Sequence, residues 1–343
     1  MRKAHSINTE SVIISNEYGA SQELQKDVGH CSVHSESAYN NSVILIPSGH
    51  RDQTFKICHK ARVFPTKVTT QNPDLLSEVT TIIRFHKNDN LSELRNALLS
   101  LAAIHSCVVK PLICAQDLSQ QQFKALTSLC DNFNYSPNTQ ISIMRFNSHN
   151  NSQDIRAKLL HDGLNAATSR YVAFLDHDDL MLSDSYSYLI NRLQTTQSKA
   201  TFGRVYDTTY ESESERFIKR NKTYEYGFTY KEFLETNHAP LHSFMLDKSK
   251  FDANALEYFS DQKFMEDYYL TLQIFDETTT DWASLSENFY IGDYLHCTDR
   301  AHTLAITNTE SRDSVITNDL FEKCKTRLDE LREKIRQRTF GAN

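Results

Sequence analysis

Three carboxylates stand within four residues at Asp176-His177-Asp178-Asp179, directly after the apolar run Tyr171-Val-Ala-Phe-Leu175. Like charges this close repel one another, and a cation between them relieves the repulsion. Oxygen donors suit a hard divalent ion, Mg2+ or Mn2+, which keeps waters and takes phosphate oxygens as further ligands. The competing assignment is a helix N-terminus, with Asp178 or Asp179 capping the turn before Leu180. A second acidic pair, Glu266-Asp267, lies in the stretch 252–293, which holds ten carboxylates and one lysine, Lys263. A solvated acidic face is the ordinary explanation for such a run. Asp267 differs from its neighbours because Phe264, Met265, Tyr268 and Tyr269 flank it. That setting can hold a carboxylate partly buried and raise its pKa towards the range of a general base; a helix cap is again the alternative.

These groups need elements to position them. Val79-Thr-Thr-Ile-Ile83 reads as a buried strand, followed by Asn90 at an N-cap position with Glu93 three residues on. Strands are predicted at 111–115, 141–146 and 171–175, with helices from Leu91, over 118–133 and over 155–167. This alternation implies a mostly parallel sheet with helices on both faces. Ligands of such sheets sit at the carboxyl ends of the strands, where Asp176 to Asp179 fall. Beyond Leu182 the spacing predicts a helix over 185–194, strands over 200–206 and 242–246, and a helix over 265–275. Residues 211–231 read as a polar, tyrosine-rich loop able to order over a ligand. Leu320, Cys324, Leu328, Leu331 and Ile335 give one amphipathic helix within 315–338. Residues 1–77 form a polar extension whose one clear strand signal is Ser42-Val-Ile-Leu-Ile-Pro47.

Composition excludes several classes. Lys plus Arg number 37 and Asp plus Glu 44 in 343 residues, a formal charge of −7. Such a balance argues against nucleic acid as partner. None of the eight glycines forms a P-loop or a G-x-G-x-x-G fingerprint, so any nucleotide is held another way. Seven cysteines without a C-x-x-C spacing fit neither a zinc ribbon nor a disulfide framework and point to a reducing compartment. No secretory signal or membrane span is expected. A cytoplasmic protein is the expectation, with peripheral contact at the inner face of a membrane left open.

Tyr171-Val-Ala-Phe-Leu-Asp-His-Asp-Asp179, preceded by Gly163-Leu-Asn-Ala-Ala167, resembles the donor-site motif of family 2 glycosyltransferases, which have a GT-A fold. The strand from Val79 and the helix from Leu91 resemble that family's opening elements. Phe264-Met-Glu-Asp-Tyr-Tyr-Leu270 resembles its downstream Glu-Asp motif. The resemblance covers roughly residues 78–305 and implies a metal-dependent, inverting transfer of sugar from a nucleoside diphosphate. It implies metal binding by Asp178, a donor contact by Asp176 and a catalytic base at Asp267 beside Glu266. His296 or His302 would complete the metal shell. Donor contacts would include Asp117, and also Arg84 and His86, which replace the family's usual turn after strand one. Arg156 stands one helical turn before Leu160, where the family often has arginine. His238 and His242, in Asn237-His-Ala-Pro-Leu-His242, would lie between donor and base, on the acceptor side.

The resulting expectation is a GT-A-like domain at 78–310, with the extension 1–77 before it and the C-terminal helix within 311–343. It would move sugar from a nucleotide-sugar donor, a UDP-sugar foremost, to a glycan, a lipid-linked glycan or another hydroxyl acceptor, with Mn2+ or Mg2+. The alternatives are a metal-dependent nucleotidyltransferase on the same layout and an inactive nucleotide-sugar- or glycan-binding protein.

Overall fold

The computed structural model describes residues 6–8, 12–15, 30–32, 42–45, 55–56, 77–133, 139–148, 155–211, 216–221, 229–297 and 315–341. The expected strand near residue 42 is present as Ser42–Leu45, paired antiparallel with Val12–Ser15. The remainder of the extension lies outside the described residues, apart from three further short strand segments.

From Glu78 the strand–helix alternation is regular. It runs β1 (Glu78–His86), α1 (Leu91–Ala102), β2 (Val108–Gln116), α2 (Gln120–Asp131), β3 (Ser142–Phe146), α3 (Arg156–Ala166) and β4 (Tyr171–Asp176). β5 (Leu180–Met181), α4 (Ser185–Thr196), β6 (Ala200–Phe202), β7 (Arg204–Glu211) and β8 (Arg216–Asn221) follow. The last elements are α5 (Tyr230–Glu235), β9 (Phe244–Asp247), α6 (Glu266–Ile274), β10 (Thr280–Asp281), β11 (Tyr290–Cys297) and α7 (Val315–Phe340). Local signals set the helix starts. Asn90 Oδ1 accepts the Ser92 N–H ahead of α1, and Ser119 with Gln122 forms a capping box ahead of α2.

Seven strands form the central sheet in the order β10-β6-β9-β4-β1-β2-β3. β4, β1, β2 and β3 are parallel, and β9 runs antiparallel between β4 and β6. β1 and β4 are buried over nearly their whole length, as strands covered on both faces must be. Adjacent β1 residues reveal the two coverings: the Thr81 hydroxyl bonds Tyr186 of α4, while Ile82 lies beneath Gly163 of α3. A Cβ on Gly163 would stand 2.8 Å from Ile82 Cγ2 and 3.0 Å from Cys114 Sγ, so α3 approaches the sheet closely because the side chain is absent.

A second sheet runs β5-β11-β7-β8 and ends on Phe55–Lys56. The single strand expected over 200–206 is in fact two, in different sheets. The break is at Gly203, where a Cβ would meet three Ile291 side-chain atoms at 2.4–2.9 Å. The chain therefore leaves β9 and joins β11 at the one residue slim enough to pass Ile291. The expected polar loop at 211–231 also changes: Arg216–Asn221 is strand β8, residues 212–215 and 222–228 lie outside the described residues, and Tyr230 opens α5 behind a Thr229–Glu232 capping box.

The acidic stretch 252–293 is not a uniformly solvated face. Glu266, Asp281 and Asp293 are buried, and each meets an arginine: Arg84, Arg192 and Arg220 respectively. Buried carboxylates are retained where a guanidinium and further donors satisfy them. Asp293 shows this fully, accepting two Arg220 bonds and one from the Thr208 hydroxyl, each 2.7 Å long.

α7 lies along α6, with Cys324 and Leu328 buried and Arg332 bonded to the Tyr268 hydroxyl and the Glu235 carbonyl. Cys107, Cys114, Cys130 and Cys324 are free thiols. Among the described residues no helix is long and apolar enough to cross a membrane.

Gly292 joins the second sheet to the acidic turn. A Cβ there would lie 2.5 Å from the Leu180 carbonyl oxygen and 3.0 Å from His242 Cδ2. Backbone cannot rotate aside as a side chain does. Gly292→Ala is therefore expected to destabilise the protein by about 1–3 kcal/mol, read from the urea midpoint. An unchanged midpoint would mean that β5 shifts without cost.

Candidate active site

The parallel strands deliver their carboxyl ends to one edge. Arg84 on β1 is in register with Asp176 on β4, and His86 with Gln116 on β2. In-register neighbours project to the same face, and Arg84 uses this to hold Asp176: Nε reaches Oδ1 at 2.9 Å, and Nη2 reaches Oδ1 and Oδ2 at 2.7 and 2.9 Å. Its third nitrogen, Nη1, donates to Glu266 Oε1 at 2.7 Å. One guanidinium thus bridges the end of β4 to the start of α6. Burial opposes the charge on Arg84, but Asp176 and Glu266 more than offset this and raise its pKa. Burial likewise works against the Asp176 carboxylate, and Arg84 reverses the effect, holding its pKa below the usual range.

Glu266 and Asp267 form the first turn of α6, behind Met265 in the left-handed region at φ 56°. Asp267 bonds neutral donors: Oδ1 accepts the Tyr268 N–H at 2.8 Å, and Oδ2 accepts Asn237 Nδ2 at 3.3 Å. Burial first, then the adjacent Glu266 carboxylate, push its pKa up to about 6, with Arg84 pulling the other way. Arg156, the first residue of α3, donates to the Lys263 carbonyl at 2.6 Å, and its Nη1 lies 3.6 Å from Glu266 Oε1. Arg84, Arg156, Asp176, Glu266 and Asp267 are therefore gathered from four elements into one cluster.

The acidic turn itself is held from two sides. Asp179 is buried; Oδ1 accepts the Leu295 N–H at 2.9 Å, and Oδ2 lies 3.1 Å from His242 Nδ1. Burial pushes the Asp179 carboxyl up to about 6 against the pull of His242. Burial disfavours charge on His242, and Asp179 beside it prevails, so that imidazole titrates above its usual range. His177 turns towards α1, with Asp89, Glu93 and Asp178 oxygens 3.6–3.7 Å from its ring nitrogens. Those anions outweigh the effect of burial and raise its pKa. Asp178 remains partly exposed, with His177 Nδ1 at 3.7 Å.

The other predicted residues are placed as follows. Asp117 has φ 54° and folds its carboxylate onto Ser148 N–H and Oγ, both at 2.7 Å, and Gln116 Nε2 at 2.9 Å. Burial raises its pKa, but these bonds more than compensate and lower it. The His86 backbone N–H donates to Asp89 Oδ2 at 2.5 Å, and its Nδ1 accepts the Asn88 N–H at 3.3 Å. His238 is buried edge-on to Phe233, and burial lowers its pKa. His242 is fully enclosed behind Asp179. His296 Nε2 is 3.0 Å from Asp207 Oδ1. His302 lies outside the described residues.

Two participants were not singled out by sequence: Asn237, which holds Asp267, and His177, which gathers three carboxylates. Asn237 stands next to His238 in a segment already marked by its position. Nothing local to it signals a partner 30 residues away.

The Asp178 carboxylate suits a hard divalent cation: it is an oxygen donor, partly exposed, at a strand end, and outside the guanidinium that holds Asp176. Among the described residues no three His, Cys, Asp or Glu side chains form a ready ligand set. Waters and diphosphate oxygens would supply the remaining positions.

Residues 126–254 match the family model described as glycosyl transferase family 2. The similarity to glycosyl transferase family 2 covers 129 of the 343 residues. The matched span contains Arg156, Asp176, Asp178, His238 and His242; Arg84 precedes it, and Glu266 and Asp267 follow it. S. aureus TarS 1–349 in complex with UDP-GlcNAc shares the fold, with TM-score 0.51, 12% identity, and 77% of this chain and 72% of that chain covered. S. aureus TarS 1–349 gives TM-score 0.45, 12% identity and coverage of 64% and 60%. The mannosyltransferase PcManGT from Pyrobaculum calidifontis, in complex with GDP-Man and Mn2+, gives TM-score 0.41, 10% identity and coverage of 67% and 59%. No curated protein sequence matches this chain. The seven-stranded sheet, parallel except for β9, is the GT-A fold.

Proposed function

We propose that this domain acts as a family 2 glycosyltransferase and transfers a sugar, with inversion, from a nucleoside-diphosphate sugar to a hydroxyl of a glycan or lipid-linked glycan. The observation that carries the reading is the cluster at the strand ends. Arg84 joins Asp176 on the donor side to Glu266-Asp267, beside a partly exposed Asp178. Asp178 would hold Mn2+ or Mg2+. When bound, such an ion offsets the charge of the departing diphosphate. Asp176, fixed by Arg84, is oriented for a hydrogen bond from the donor. Asp267 takes the proton from the acceptor hydroxyl as its oxygen attacks the anomeric carbon and the bond to the diphosphate breaks. A base that titrates near 6 is ionised at neutral pH yet basic enough to accept that proton.

The UDP-GlcNAc complex of S. aureus TarS makes UDP-GlcNAc the first donor to test. Purified protein, incubated with a panel of nucleotide sugars and Mn2+ or Mg2+, is expected to release nucleoside diphosphate. Release of pyrophosphate instead would indicate nucleotidyl transfer. Binding without turnover would indicate a binding protein.

A further inference from the structure

From the three-way contact of its guanidinium, we infer that Arg84 is a positioning residue that divides the work of the two adjacent carboxylates: it engages Glu266 and leaves Asp267 to accept the proton. The inference rests on the glycosyl-transfer reading for its chemistry and on the ion-pair geometry for its test.

Adjacent carboxylates at a helix start are chemically alike, and nothing in the pair Glu266-Asp267 itself selects one as base. The structure separates them by their partners. Glu266 is buried and directed at two guanidinium groups, Arg84 Nη1 at 2.7 Å and Arg156 Nη1 at 3.6 Å. To accept a proton it would have to give up the charge-assisted bond from Arg84. Asp267 accepts from a backbone N–H and from the Asn237 amide, both neutral. The charged groups around it are Glu266 on its own helix, Arg84 from β1 and Asp176 from β4, with Arg156 of α3 beyond Glu266. Arg84 is therefore the cation whose removal changes Asp267 most. It also couples the base to the donor side, because the nitrogens that hold Asp176 and Glu266 belong to one rigid, planar group. A shift of Asp176 on donor binding would move Nη1 against Glu266.

The test follows the Asp267 carboxyl carbon by NMR through a pH titration of the ligand-free protein, with Asp267→Asn supplying the assignment. The wild-type midpoint is expected near 6. Loss of a nearby cation raises a carboxylate pKa, so Arg84→Gln should move the midpoint up by about one unit. Arg84→Lys retains the charge and should return most of that shift. Glu266→Gln removes the neighbouring anion and should move the midpoint down. A purely structural Arg84 would leave the midpoint of any folded variant unmoved. An unchanged or lowered midpoint in Arg84→Gln overturns the inference. If that variant does not fold, an unchanged or raised midpoint in Glu266→Gln does so instead. The titration needs no substrate, so its failure is distinct from failure of the transfer reading, which shows as absent nucleoside-diphosphate release by the wild type.

Discussion

Asp267→Asn is expected to lower kcat by roughly two to four orders of magnitude while donor binding is retained. The asparagine keeps the size of the side chain and its oxygen can still accept the Tyr268 N–H, but it cannot take a proton. Glu266→Gln is expected to lose less, because Glu266 is engaged by Arg84 and Arg156 and is not the group assigned to take the proton of the acceptor hydroxyl. Steady-state rates, together with donor affinity measured calorimetrically, separate the two variants. A near-normal rate in Asp267→Asn with an inactive Glu266→Gln would reverse the assignment. The wild-type pH profile carries the same information. The base must be ionised, and its pKa is raised to about 6, so kcat should be level above that value and fall as pH drops through it. A rate independent of pH down to 4.5 would remove Asp267 from the role.

Asp178→Ala should abolish turnover and the metal-dependent part of nucleotide binding, with the fold intact. Asp178 is partly exposed, and the turn that carries it is fastened through Asp179 to Leu295 and through His177 towards α1. Removing one partly exposed carboxylate leaves those fastenings in place, so the circular dichroism and thermal midpoint should stay close to wild type. Titration calorimetry of nucleoside diphosphate with and without Mn2+ is the direct measure. The metal role fails if the mutant retains full activity, or if the wild type is unaffected by excess chelator.

Much of this was legible because it is periodic or contiguous. The apolar run ending at Leu175 and the alternation from Val79 to Asp176 specify a parallel sheet, and the rule for such sheets draws attention to Asp176 at its carboxyl edge, where Arg84 meets it. The pair Glu266-Asp267 was legible by its aromatic flanks. What escaped was long-range pairing. Gly203 looks like an ordinary strand glycine until Ile291, 88 residues later, is seen to occupy the space of its Cβ. The carboxylates of 252–293 read as a solvated face because their arginine partners lie far off in sequence, Arg84 by 182 residues and Arg220 by 73. His242 stood out beside a proline as an acceptor-side residue; its burial against Asp179 arises from β11 closing over both, which no local pattern near residue 242 encodes.

The reach of Arg84 also sets an order of events during synthesis. β1 to β4 and their helices are complete by Asp176; β1–β2 and β2–β3 are each joined by a single helix, and β4 then adds beside β1 from about 90 residues on, so this half can form before α6 is made. Its Arg84 would at that stage hold Asp176 alone, with Nη1 unmatched until Glu266 has been made and α6 has docked. A guanidinium lacking a buried partner is costly to enclose, so the early half should remain loose at this edge and tighten last. The chain thereby joins Glu266-Asp267 to the acidic turn only once α6 has docked, and a molecule halted before that step carries the turn without those two carboxylates beside it.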